Sequence, residues 1–118
     1  MTTYAGSCQC GAVAFEADLS LDNPVTCNCS RCQRLGSVLV FTPRENFRLL
    51  RGQNNLTEYL FNKHTIRHAF CKTCGIEGFA YGDMPDGAKI AAVNVNVLDG
   101  VDPREIAARA HHHDGRST

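Results

Sequence analysis

The chain has 118 residues, of which 43% are hydrophobic and 20% are charged, and twelve Lys and Arg residues balance twelve Asp and Glu residues. This composition is typical of a globular protein and excludes intrinsic disorder, while the length suits one domain over residues 1–118. The zero net charge excludes the basic excess of a nucleic-acid-binding protein. Because no apolar run approaches the roughly 18 residues of a membrane span, we also expect no membrane partner.

Short apolar segments between turn residues predict a protein built mainly from β-strands. Val93, Val95 and Val97 alternate with two asparagines, which is the two-residue period of a strand, and residues 66–70 alternate in the same way. Other runs are rich in β-branched, aromatic or leucine residues, which favour strands. In chain order, the predicted strands are residues 13–17, 38–42, 47–50, 56–61, 66–70 and 93–97.

Two short helical turns are also predicted. Ser30 is a candidate N-cap for the first turn, which Gly36 would end. Asp102 is a candidate N-cap for the second turn, with Pro103 in the first helical position and Ala108 near its end. The expected fold class is therefore mostly β, with antiparallel strands and few helices.

The seven cysteines are the unusual feature of the composition. They lie at positions 8 and 10, at 27, 29 and 32, and at 71 and 74. An odd number of cysteines cannot pair completely as disulfides within one chain. The first residues also lack the charged-then-apolar pattern of an export signal, so we expect a cytoplasmic protein. In a reducing compartment, clustered thiols bind metal more often than they oxidise.

The cysteine clusters divide into four thiols and three. Zinc takes four ligands at tetrahedral corners, so four thiolates complete a structural site, whereas three leave the open position of a catalytic site. Spacing alone does not say which clusters share a metal. The alternatives are buried free thiols in the outer clusters and an empty, oxidised middle cluster. The expected zinc ligands are Cys8, Cys10, Cys71 and Cys74 at the structural site and Cys27, Cys29 and Cys32 at the open site.

Three segments of the sequence resemble one known family. Residues 6–13 read Gly-Ser-Cys-Gln-Cys-Gly-Ala-Val, residues 27–34 read Cys-Asn-Cys-Ser-Arg-Cys-Gln-Arg, and residues 70–75 read Phe-Cys-Lys-Thr-Cys-Gly. Their order and spacing resemble those of the glutathione-dependent formaldehyde-activating proteins, a family that includes the centromere protein V domain. Asn28 stands where the family often has His in the middle cluster.

The resemblance implies a fold of coiled antiparallel sheets stapled by zinc, similar to methionine sulfoxide reductase B. It implies the same structural zinc site and an active-site zinc held by Cys27, Cys29 and Cys32. The implied activity is that of a carbon–sulfur lyase, S-(hydroxymethyl)glutathione synthase, which condenses formaldehyde with glutathione. The alternative function is a non-catalytic, zinc-stapled module that binds a small thiol or a protein. A redox or zinc sensor is a third hypothesis.

Two arginines flank the open site and are candidates for binding glutathione. Arg31 and Arg34 would lower the pKa of the thiols or pair with glutathione's carboxylates, and their alternative role is that of solvated surface residues.

The sequence predicts structural roles for two of the histidines. His68 shares the phase of its apolar neighbours and is expected to be a core histidine, and His64 is interpreted in the same way. The tract at residues 111–113 falls within a candidate mobile tail at about 110–118.

Overall fold

The computed structural model describes residues 1–60 and 66–117. Within them the strands are β1 (Thr2–Ser7), β2 (Ala14–Leu19), β3 (Val25–Cys27), β4 (Leu39–Pro43), β5 (Phe47–Arg51), β6 (Leu56–Tyr59), β7 (Ile66–Cys71), β8 (Phe79–Asp83), β9 (Lys89–Asn94) and β10 (His111–His113). The α-helices are α1 (Ser30–Leu35) and α2 (Pro103–Ala108). The prediction of a mostly β fold is confirmed.

Three strands form a small antiparallel sheet in the order β1-β2-β5. Along β2, buried Phe15, Ala17 and Leu19 alternate with half-buried Glu16 and Asp18. This alternation gives the sheet one apolar face that packs into the core and one face with charged groups.

The other seven strands form a second sheet in the order β10-β3-β4-β9-β8-β7-β6. Its pairs are antiparallel, except that β10 runs parallel to β3. On β9, Ala91 and Val93 belong to the core, whereas Ile90, Ala92 and Asn94 line a cavity. This sheet therefore has apolar side chains on both faces, one facing the core and the other facing the cavity.

A group of aromatic rings joins the two sheets. The ring centroids of Phe15 and Phe47 lie 5.0 Å apart, and Phe79 of the larger sheet lies 5.7 Å and 4.6 Å from them. All three side chains are buried. Aromatic pairs at these distances add stability beyond that of apolar burial alone.

The helices begin and end close to the predicted positions, with one correction. The N-cap of α1 is Cys29, because its Sγ accepts a hydrogen bond from the backbone N–H of Cys32, so the assignment of the cap to Ser30 is wrong by one residue. Gly36 ends α1 with a φ of 72°, as predicted. Asp102 caps α2, also as predicted. Among the described helices, none is long and apolar enough to cross a membrane.

The strand predicted at residues 93–97 is partly wrong. Strand β9 ends at Asn94, and a 3-10 helix follows at Val95–Val97. The Asn94 side chain accepts a hydrogen bond from the backbone N–H of Asn96, which caps this turn. The local capping bond therefore overrides the strand periodicity of the valines.

The C-terminal segment lies against the middle cysteine cluster. Strand β10 pairs with β3, and a 3-10 helix follows at Gly115–Ser117. The mobility predicted for this segment stays a prediction. Residue 61 of the predicted strand at 56–61, and His64, lie outside the described residues.

Candidate metal centres and the adjoining cavity

The four outer cysteines converge at one point between the two sheets. Their Sγ atoms all lie within 4.8 Å of one another. The Sγ atoms of Cys8 and Cys10 are 3.7 Å apart, and those of Cys10 and Cys71 are also 3.7 Å apart. Four thiolates with Zn–S bonds of about 2.3 Å at tetrahedral corners require sulfurs roughly 3.8 Å apart. The donor set and its spacing therefore fit zinc.

Two tight turns present these cysteines. After β1, the N–H of Cys8 donates to the carbonyl of Val13, and the N–H of Gly11 donates to the carbonyl of Cys8. At the end of β7, the N–H of Gly75 donates to the carbonyl of Cys71. Gly11 and Gly75 have φ angles of 81° and 79°, a conformation that glycine adopts without strain.

Nearby N–H groups bond the sulfurs of this site. The N–H of Val13 donates to Cys8 Sγ, and Asn55 Nδ2 donates to Cys71 Sγ, each at 3.3 Å. The backbone amide of Cys74 lowers the pKa of Cys71 to about 6. At Cys10 the backbone amide of Ala12 has a lowering effect, but desolvation and the neighbouring thiols raise the pKa to about 11. The site thus favours an anionic sulfur at Cys71.

The three middle cysteines lie together on residues 27–32, called here the cysteine loop: Cys27 ends β3, Cys29 is the N-cap of α1, and Cys32 lies in the first turn of α1. The Sγ atoms of Cys27, Cys29 and Cys32 lie within 4.8 Å of one another, and all three residues are half-buried. Backbone N–H groups within the loop donate to two of these sulfurs: that of Cys29 to Cys27 Sγ at 3.4 Å and that of Cys32 to Cys29 Sγ at 3.3 Å. Three thiols on one short loop fit a metal that keeps one coordination position open.

The three thiols differ in their acidity. Burial raises the pKa of Cys27, and it raises the pKa of Cys32 to about 12. Burial acts in the same direction at Cys29, but hydrogen bonds from the backbone and side chain of Cys32 hold the pKa of Cys29 below its ordinary value. Cys29, the helix cap, is therefore the first of the three to lose its proton.

The C-terminal segment is fastened to this loop by Asn28. Asn28 Oδ1 accepts hydrogen bonds from the backbone N–H groups of Gly115 and Arg116 at 2.7 Å and 3.2 Å, and Asn28 Nδ2 donates to Asp114 Oδ1. A Cβ atom added to Gly115 would lie 2.5 Å from Cys27 Sγ. A side chain at position 115 would displace Cys27 Sγ, so this segment, residues 111–117, forms a strap in contact with the cysteine loop.

A buried charged network lies beside the three thiols. Arg31 Nε donates to Glu77 Oε1 at 3.1 Å, and His68 Nδ1 lies 3.1 Å from Glu77 Oε2. Arg31 also stacks over the ring of Tyr59, with its guanidinium carbon 4.7 Å from the ring centroid. Glu77 and His68 are both buried. The buried carboxylate is thus bonded on both oxygens, as burial of a charge requires.

A cavity of about 520 Å³ lies alongside the three cysteines. Its polar lining residues include the three thiols, Ser37, His68, Glu77, Asn94 and, on β10, His111 and His113. The apolar part of the wall comes mainly from β4, β7, β8 and β9 and includes Leu39, Phe41, Ile66, Ala80, Ile90 and Ala92. The cavity volume is in the range of ligand sites in proteins.

Comparison with known proteins identifies the family of this chain. The sequence profile described as glutathione-dependent formaldehyde-activating enzyme matches residues 3–115. The chain belongs to this family. A crystal structure of a Rhodobacter sphaeroides protein superposes with a TM-score of 0.82 at 34% identity, and the match covers 92% of this chain and 99% of that chain. The family resemblance found in the three sequence segments is therefore confirmed.

The structure places the predicted site residues of this family member in different surroundings. All seven cysteines fall into the two expected groups, which are compatible with metal binding. Arg31, predicted to bind glutathione, is bonded to Glu77, while Arg34 is exposed and donates to the carbonyl of Ser30. Their roles toward glutathione stay predictions.

Sequence reasoning missed several residues at the site of this family member. Glu77 carries no motif, and its role depends on contacts 46 residues away at Arg31 and nine residues away at His68. His111 and His113 line the cavity because β10 places them beside β3. The alternation of positions 111 and 113 was a usable signal, but it required knowing that the segment forms a strand.

Proposed function

We propose that this protein is a zinc-dependent carbon–sulfur lyase that resembles S-(hydroxymethyl)glutathione synthase and condenses formaldehyde with glutathione. The observation that carries the proposal is the group of three thiols that opens onto a cavity, next to a separate and complete four-thiol group. Zinc held by Cys27, Cys29 and Cys32 would keep an incoming glutathione sulfur deprotonated at its open position. Because the chemistry needs reduced thiols, the proposed compartment is the cytoplasm.

The reaction makes one bond. The glutathione sulfur attacks the carbonyl carbon, the electron pair of the C=O bond moves to the oxygen, and that oxygen takes the proton released by the thiol. Thiols add to formaldehyde without a catalyst, so the protein contributes mainly orientation and a supply of thiolate.

The chain's own groups suit this role. The backbone N–H groups of the cysteine loop stabilise anionic sulfur, as at Cys29. His68 lines the cavity and is oriented by Glu77, which places a group that can hold a proton near the thiols. Arg34, on the exposed side of α1, is a candidate partner for a glutathione carboxylate.

Exchange NMR tests the proposal. Protein purified without chelator is added to an equilibrium mixture of glutathione and formaldehyde, and the rate of exchange between free and hydroxymethylated glutathione is measured. We expect the rate to rise with protein concentration and the rise to disappear in Cys27→Ser, which removes one of the three thiols.

Two controls make the result specific. The exposed Ser20→Ala variant should accelerate exchange as the parent does. If the parent leaves the exchange rate unchanged although glutathione binds, the lyase proposal is wrong and the non-catalytic thiol-binding module describes the protein.

A further inference from the structure

We propose that, besides formaldehyde, this protein accepts an aldehyde with an apolar hydrocarbon substituent, which binds in the cavity beside the three cysteines. The inference rests on the proposed thiol–aldehyde reaction and names the class of aldehyde. Formaldehyde has only hydrogens on its carbonyl carbon and would leave the apolar part of the cavity unused.

The cavity wall is apolar along two paired strands. Alternate residues of β4 and β9 face the cavity, namely Leu39 and Phe41 on one strand and Ile90 and Ala92 on the next, which pairs with it. The intervening Val40 and Val93 lie in the core. A sheet that is apolar on both faces needs an apolar partner on each, and the second face is the one beside the thiols.

The charges at the cavity favour an uncharged ligand. Within the described residues, the cavity lining contains no Lys or Arg side chain. Its carboxylate, Glu77, is bonded by Arg31 and His68, and the other ionisable side chains of the lining are the cysteine thiols, Tyr81 and the imidazoles of His68, His111 and His113. Glutathione carries two carboxylates and an ammonium group, so its charged ends belong outside the apolar part of the cavity. An uncharged hydrocarbon chain matches the wall.

A buried hydroxyl group lines the cavity. Ser37 is 4% exposed and lines the cavity, and its Oγ has no hydrogen-bond partner that satisfies standard geometry within the described residues. A carbonyl oxygen placed next to the thiols would accept its hydrogen bond. The ligand therefore has a polar carbonyl end at Ser37 and an apolar end on the sheet.

The reaction is balanced for such an aldehyde. The thiol sulfur bonds to the carbonyl carbon, the C=O electron pair moves to oxygen, and the thiol proton ends on that oxygen. The product is a thiohemiacetal, and no oxidant, reductant or leaving group is required.

Binding is the first test, because it does not depend on turnover. Hexanol, an unreactive probe of similar shape, is titrated into the zinc-loaded protein while the methyl NMR signals of Ala80 and Ala92 are followed. We expect saturable shifts at both alanines and an affinity that falls about fourfold for each methylene removed from the alcohol. Absence of saturable shifts, or an affinity independent of chain length, would overturn the proposal.

Two variants and one control locate the ligand. Ala92→Leu fills part of the cavity and should weaken hexanol binding at least tenfold. Ser37→Ala removes the hydroxyl and should weaken it about fivefold. Ala107→Leu, the same enlargement on the exposed face of α2, should leave the affinity unchanged. Equal effects of the two leucine substitutions would contradict a ligand in this cavity.

Turnover then separates this inference from the proposed function. Exchange rates with glutathione are measured for formaldehyde and for hexanal. We expect the parent to accelerate exchange with both aldehydes, and Ala92→Leu to slow hexanal alone. Catalysis with formaldehyde but none with hexanal overturns the aldehyde assignment and leaves the lyase intact. Catalysis with neither aldehyde refutes the lyase, while the hexanol result still decides whether the cavity binds an apolar chain.

Discussion

The two cysteine groups use the same side chain in opposite ways. The four-cysteine site draws its thiols from both sheets: Cys8 and Cys10 follow β1 of the small sheet, and Cys71 ends β7 of the large sheet. The three-cysteine site takes all its thiols from the single segment at residues 27–32. A metal in the first site joins two sheets, whereas a metal in the second joins only the ends of one loop.

The two cysteine groups also differ in their surroundings. Cys8 and Cys71 are buried, and a complete set of four sulfurs leaves no position for a further ligand. The three middle cysteines are half-buried and lie on a cavity with one donor fewer. The four-cysteine group therefore suits a metal that holds the fold together, and the three-cysteine group suits a metal with an open coordination position.

The largest expected effect is loss of the four-cysteine site. Cys71→Ser removes a buried ligand that connects the two sheets, and a structural zinc contributes on the order of 10 kcal/mol to folding, as much as the whole stability of many domains. We expect a chain that is unfolded or strongly destabilised, as measured by circular dichroism during thermal unfolding. A variant that melts within a few degrees of the parent would contradict the structural role.

A matched change in the other cluster should spare the fold. Cys29→Ser removes one thiol of the open site, and we expect about one zinc per chain instead of about two. The free energy of unfolding should fall by about 2 kcal/mol or less, because a hydroxyl replaces a thiol as the helix cap. Metal analysis and thermal unfolding measure the two quantities. An unchanged zinc content would mean that the middle cluster holds no metal.

A smaller effect is expected from the strap. Asn28→Ala removes the acceptor for the N–H groups of Gly115 and Arg116, which should cost about 1–3 kcal/mol and expose residues 111–117 to protease. Hydrogen exchange of the β10 amides measures the release. Asn54→Ala, at an exposed asparagine, is the matched control. Unchanged exchange in Asn28→Ala would show that β10 pairing alone holds the strap.

The smallest effect lies away from both cysteine groups, on the small sheet. Arg48 lowers the pKa of Asp18 below its ordinary value of 3.8. The pair therefore stabilises the protein at pH values above that value, and this contribution is lost as the pH falls through the lowered pKa. Arg48→Met should flatten this acid limb in thermal unfolding between pH 5 and about pH 2. The zinc content at pH 7 should stay the same, and a change in it would mean that the small sheet is coupled to the metal sites.

The sequence predicts much of this structure for local reasons. Asp102 and Pro103 start α2 as expected because capping depends on neighbours in sequence. The cysteine groups were also predictable, since four and three thiols match the needs of zinc.

What the sequence could not predict depends on distant contacts. Cys29 replaces Ser30 as the cap of α1 because the cysteine loop directs that sulfur at the helix start. Glu77 pairs with Arg31 only after β7 and β8 bring it to the thiols. Strands β1, β3, β8 and β10 lack a strong period-two pattern of their own, and their pairing with neighbouring strands supplies the stability.

The parallel pairing of β10 with β3 has a consequence for handling the protein. Without β10, strand β3 would be the edge of the large sheet and would present unpaired backbone N–H and C=O groups to other molecules. Proteolytic cleavage near residue 110 would expose this unpaired edge of β3 together with Cys27, which Gly115 contacts. Clipped preparations should therefore self-associate, first through strand addition between copies and then, in air, through intermolecular disulfides that a reductant reverses.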